Sequence, residues 1–188
     1  MFLSRDREGA VGESESGQRI VRLTRRLPTL EGRRIRIEFR PEIHTPQGQP
    51  VHAASDIRRR RIYLERALRA VRAELARVLV HELFHFVWVR LGNPVRWSWE
   101  ALLQDEWRAR AMGELGFSAE WCKQSLKDPD VAGRSRRWRE YACESFCDSA
   151  AWFYSPSSSP EHRLAQRWRR GRAEWFRNSF PAGERIPL

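Results

Sequence analysis

The stretch VLVHELFHFVWV, residues 78–89, limits the fold more than any other part of the chain. Its apolar residues run too continuously for a helix with one wet face, which would keep a polar stripe. A helix here has to be covered on more than one side, yet His81, Glu82 and His85 interrupt it. On a helix, positions i and i+4 lie one turn apart on the same face, so His81 and His85 can present their imidazoles to one ion. Glu82 is turned about 100° from His81 and stands beside such an ion rather than in line with it. The HExxH spacing thus separates two nitrogen ligands from one general base and leaves a coordination position for water.

A catalytic zinc takes a third protein ligand. HFVWVRLGNP brings no further histidine, which excludes the metzincin pattern and leaves a carboxylate from a later helix. The candidates are Glu100, Asp105, Glu106, Glu114, Glu140, Glu144 and Asp148. Glu144 is favoured because it lies in the aromatic-rich RWREYACESFCDSAAWFY, where a carboxylate without a partner is costly to bury. Asp148 follows at i+4 on the same face and can accept the outer N–H of a ligating histidine. Glu140, one turn before Glu144, is the alternative donor. Glu106 is followed at i+4 by Arg110, which offers no such acceptor.

HELFH followed by ESFCD resembles the gluzincins, metallopeptidases with HExxH and a downstream Glu-x-x-x-Asp. The resemblance implies Zn2+ as cofactor and peptide-bond hydrolysis as activity. It further implies His81, His85 and Glu144 as metal ligands, Glu82 as base and then acid, and Asp148 as the acceptor behind a ligand. The 58 residues between His85 and Glu144, positions 86 to 143, exceed the thermolysin-like spacing and look like the neprilysin-like arrangement. The compact size and EYACESFC are also similar to ImmA/IrrE-type bacterial metallopeptidases, in which the carboxylate helix usually follows sooner. About residues 60–155 carry the likeness.

Around this motif the chain is expected to divide into a disordered leader at 1–18, one catalytic domain at 19–178 and a C-terminal tail at 179–188. RRIRIEFRPEI alternates charged and apolar residues, the period of a half-buried strand. HTPQGQPVHAASD is a turn-rich connection. RRRRIYLERAL gives a second short strand at 62–64, whose basic flanks suit an exposed edge to which an extended substrate adds. Helices follow: one over 67–91 closed by GNP, one starting at Ser98 as N-cap, one from RWREYACESFCDSAAWFY and one from EHRLAQRWRRGRAEWF. Strands first and helices after predict an α+β fold, zincin-like, with a short N-terminal sheet packed on the HExxH helix. Tyr141, Tyr154 and His162 are available as donors to an oxyanion, with none singled out; His44 and His52 are expected on the surface.

With 41% hydrophobic residues, nine Trp and nine Phe, the chain can build a real core. Its net charge of +11, nearly all from arginine, favours acidic partners, DNA-associated protein substrates among them. Two rival readings remain open. His81, His85, Cys143 and Cys147 could close a tetrahedral structural zinc site. Alternatively, RIYLERALRAVR and RWRRGRAEWF interleave arginine with aromatics as nucleic-acid binding requires, although the spacing of Trp168, Trp175 and Phe176 suits docking on a core. Three cysteines without a disulfide framework favour a reducing compartment, and the first residues lack the apolar core of a signal peptide, so a cytoplasmic protein without a membrane segment is expected.

Overall fold

The computed structural model describes residues 27–45, 47–155 and 162–188. The leader expected at 1–18 lies outside the described residues. The organising element is helix α1 (Arg72–Trp88), which carries the HExxH motif. Leu75, Val78, Leu79 and Phe86 pack against a sheet, whereas Val80, Phe84 and Val87 pack against helices on another side. That double burial accounts for the run of apolar residues noted above.

The sheet has three strands in the order β2 (Arg36–Arg40), β4 (Arg61–Glu65) and β3 (Ala53–Asp56). β2 runs parallel to β4, with Ile37 opposite Ile62, and β3 runs antiparallel to it, with Ser55 opposite Ile62. Ile62 and Leu64 of β4 are fully buried against α1. The strand at 62–64 is therefore not the edge: it is central, paired on both sides. The edge nearest the motif is β3, which falls in the stretch expected to be a connection. AASD has neither β-branched nor aromatic residues, so it carries little strand propensity of its own. Its pairing with β4 and its contact with α1 make it a strand.

A five-residue 3-10 turn, Arg66–Ala70, precedes α1, so the expected 67–91 helix starts later and stops sooner. Helix α2 (Asn93–Arg108) begins five residues ahead of Ser98, with Gly92 as N-cap and Pro94 in its first turn. Proline there costs nothing, because the first helical N–H groups have no intrahelical partner. GNP therefore opens a helix as well as closing one. Two short helices follow: α3 (Phe117–Gln124) lies in a stretch to which no element was assigned, and α4 (Asp128–Ala132) lies in KDPDVAGRSR, which reads as a loop in sequence. Helix α5 (Arg136–Tyr154) matches the third expected helix closely, and α6 (Gln166–Ser179) starts five residues later and ends three later than the fourth. The C-terminal residues are more than a tail, for β5 (Arg185–Pro187) pairs in parallel with β1 (Thr29–Glu31). Taken together the fold is α+β, with six α-helices and short strands among the described residues.

Helices α1, α2, α5 and α6 meet around an aromatic core. Phe146 stacks on Phe176 at 5.4 Å, and Trp99 meets Trp175 edge-on at 4.8 Å. Trp99 also donates its indole N–H to the Ala142 carbonyl at 3.0 Å, fixing α2 to α5. On α6, Phe176 is fully buried and Trp175 is engaged with Trp99, so these two rings dock on the core.

Beside that core lies a buried charge network. Arg172 of α6 forks onto both oxygens of Glu106, at 3.0 and 2.6 Å, and reaches Glu114 at 2.7 Å and Ser149 Oγ at 3.1 Å. Glu114 further accepts from Tyr141 Oη at 2.6 Å and Lys123 Nζ at 2.8 Å. Two cations thus balance two carboxylates, the condition under which buried charge is tolerable. Glu106 and Glu114 are committed to Arg172, and Glu100 is held by Arg134 at 2.7 and 2.8 Å. These three former ligand candidates serve the packing of helices.

Candidate metal centre

The face of α1 left free by the two packed sides carries His81 and His85, and it looks toward α5. Their Nε2 atoms stand 3.1 Å apart. Glu144 of α5 brings Oε2 to 3.3 Å from His81 Nε2 and Oε1 to 3.9 Å from His85 Nε2. One donor atom from each of the three residues lies within 4.8 Å of the others. For comparison, a zinc ion roughly 2.05 Å from two such donors at a tetrahedral angle would hold them about 3.3 Å apart. The donor set therefore has the spacing of a metal cradle without rearrangement. Glu140, the alternative donor, points away and pairs with Arg136 at 2.7 Å on an exposed stretch of α5.

Asp148 stands behind the first histidine. One carboxylate oxygen takes the Nδ1–H of His81 at 2.8 Å, and the other takes the backbone N–H of Ala119 at 2.9 Å. The first contact fixes the His81 tautomer and leaves Nε2 for the cleft. The second caps the first turn of α3, where no side chain of its own does so. Gly116, just ahead of that turn, explains how the carboxylate fits: a Cβ built there would collide with the Asp148 carboxyl group. The backbone at Gly116 is extended, so space, not conformation, demands glycine.

Glu82 faces the sheet side of the motif. Its Oε2 accepts a 2.6 Å hydrogen bond from Ser55 Oγ of β3, which also lies 3.1 Å from the Glu82 carbonyl. Sequence reasoning missed Ser55 because its segment lacked strand character; an HExxH glutamate beside an unassigned strand was the only available hint. The three elements enclose a cleft of about 310 Å³. β3 lines it with Ala53, Ala54 and Ser55, α1 with His81, Glu82 and His85, the C-cap of α1 with Val89, and α5 with Cys143 and Glu144. Tyr141, Tyr154 and His162 do not line it. Tyr141 is spent on Glu114, and Tyr154 packs against Phe84 at 5.4 Å.

Electrostatics follow from this crowding. Burial opposes charge on His81, but Asp148 and then Glu144 outweigh it and raise its pKa well above the ordinary value. Burial likewise opposes charge on His85, yet a hydrogen bond to Cys143 and the nearby Glu144 lift it to about 9. Glu144 is pushed up by burial but pulled further down by the two imidazoles, and ends below the usual carboxylate range. A protonated imidazole offers no lone pair, so a cation has to displace these protons to bind, and binding would strengthen as pH rises.

The rival His2Cys2 constellation separates into two. Cys143 Sγ and Cys147 Sγ lie 3.5 and 3.4 Å from His85 Nδ1, the nitrogen that faces away from His81. The two nitrogens of one imidazole diverge, so His81, His85, Cys143 and Cys147 do not converge on one ion. They form two donor groups that share His85. A hydrogen bond from Cys147 pulls the Cys143 thiol down to about 6 against the effect of burial, with His85 adding to the pull. Burial pushes the third thiol, Cys122, up to about 12.

No helix among the described residues is long and apolar enough to cross a membrane. Comparison with family models, curated proteins and solved structures gives no match to this chain.

Proposed function

We propose that this chain is a zinc-dependent peptidase. The observation that carries the reading is the convergence of His81 Nε2, His85 Nε2 and a Glu144 carboxylate at metal-donor spacing, with Glu82 alongside in the same cleft. Nitrogen–nitrogen–oxygen donors on a tetrahedral plan suit zinc and leave one position open. When bound, zinc would supply Lewis acidity, polarising the scissile carbonyl and bringing the acidity of the attacking water toward neutral pH.

The protein's own residues do the rest. Ser55 holds Oε2 of Glu82, which leaves Oε1 to take the water's proton and then pass it to the leaving amine. Asp148 keeps His81 in the tautomer that offers Nε2. Among the described residues no strand pairs with the outer edge of β3, so an extended peptide can add there by backbone hydrogen bonds. Its carbonyl is thereby carried past His81 and Glu82. The net charge of +11 favours acidic substrates, DNA-associated proteins among them.

Metal analysis of the purified protein is expected to find at least one zinc per chain, and His81→Ala should lose the ion of the His2Glu set. Peptide-library cleavage should stop on chelation and return with added zinc. A protein that keeps cleaving after complete metal removal, or that binds no zinc at all, is not a zinc peptidase. Asp148→Ala should weaken zinc binding by about 10- to 100-fold, since the partner that orients His81 is gone. Competition with a chromogenic chelator measures this, and unchanged affinity would remove Asp148 from the site.

A further inference from the structure

We propose that Cys143, Cys147 and Nδ1 of His85 form a second metal site for a thiophilic cation, on the far side of the imidazole that faces Glu144. The two sulfurs lie 3.5 and 3.4 Å from Nδ1, and the three donor atoms lie within 4.8 Å of one another. A tetrahedral ion about 2.05 Å from nitrogen and about 2.3 Å from sulfur sets those atoms about 3.5 Å apart. The spacing is already that of a ligand set. Sulfur donors at i and i+4 on α5 share one face, as the two histidines do on α1.

The donor chemistry names the ligand class. Two thiolates and one imidazole favour soft or borderline ions such as Cd2+, Zn2+ or Cu+ over Mg2+ or Ca2+. Binding releases the two thiol protons and the Nδ1 proton, and the two thiolates neutralise a divalent ion. Access is also present: Cys143 is part of the cleft wall, while Cys147 is fully buried behind it. An ion would enter past Cys143. Cys122 is not part of the group. The set needs neither His81 nor Glu144, so it stands whether or not the chain hydrolyses peptides.

Cadmium titration of the metal-free full-length protein tests it, read by stoichiometry and by the ultraviolet sulfur-to-cadmium charge-transfer band. Wild type is expected to take up two ions, one of which gives the band. Glu144→Gln should keep the band. The Cys143→Ser and Cys147→Ser double variant should lose the band and one ion, while still binding zinc through His81, His85 and Glu144. Cys143→Ser alone changes a partly exposed residue and should weaken the band-forming ion by at least tenfold, a check that does not depend on tolerance at buried Cys147. Absence of the band in wild type, or its persistence in the double variant, overturns the proposal. Loss of zinc and cleavage in Glu144→Gln with the band intact keeps this site distinct from the hydrolytic one.

Discussion

The Glu82→Gln protein is expected to bind zinc as the wild type does and to lose at least about a hundredfold in kcat. General acid–base groups contribute about 10²- to 10⁴-fold, and this substitution removes the carboxylate that stands beside the ligand set in the cleft. The exchange is close to isosteric. A glutamine amide can keep its contact with Ser55 Oγ, so the join between α1 and β3 survives. What it cannot do is take a proton from water. If Glu82 served only to bind the sheet to the helix, Gln would be tolerated and turnover would stay within a few-fold of wild type. That outcome would remove Glu82 from the chemistry. The stoichiometry arm matters equally, because Glu82 is not a ligand in this reading and its loss should leave the metal in place.

Arg172→Ala is expected to cost about 3–5 kcal/mol, the range for breaking a buried ion pair from one side. Removing the guanidinium leaves Glu106 and Glu114 buried with Lys123 as their remaining cation nearby. For a domain of this size the loss corresponds to a fall in Tm of roughly 6–20 °C, measurable by calorimetry or circular dichroism. A drop under about 2 °C would mean that the network contributes little. Its pH dependence is fixed by Glu114. Burial works to raise that carboxyl, but Arg172 and Lys123 outweigh it and hold its pKa below 4.5 in the fold. A depressed carboxyl stabilises the fold above its unfolded pKa and ceases to as pH falls through the folded value. Wild-type stability should therefore decline below about pH 4.5, and the decline should be shallower once Arg172 no longer depresses Glu114.

The approach of Glu144 to the histidine pair, with Glu82 beside them, was legible because each residue obeys a local rule. His81, Glu82 and His85 follow helical spacing, and Glu144 with Asp148 repeats it on α5. Legibility failed where structure depends on partners distant in sequence. AASD became β3 only through β4 and α1, and with it came Ser55. α3 owes its first-turn acceptor to Asp148, a residue on another helix, so no cap was visible in its own sequence. Gly92 and Pro94 looked like a helix stop, yet the same pair suits a helix start, and the chain uses them for both. Arg172 looked like one more surface arginine on a basic helix; only packing reveals that Glu106 and Glu114 face it.

The contacts that join the separate elements of the candidate site span long loops. Ser55 meets Glu82 across 27 positions, and His81 meets Asp148 across 67. Closing such loops costs chain entropy that rises slowly with length, and no segment in between can regain it alone. A chain that has formed α1 but not α5 carries the motif without a third donor or an orienting acceptor. Any ion held by the finished set is then a ligand of the native state only, and its binding energy adds to that state by mass action. The capacity to bind would therefore arrive only once α5 packs on α1 and leave when the two part.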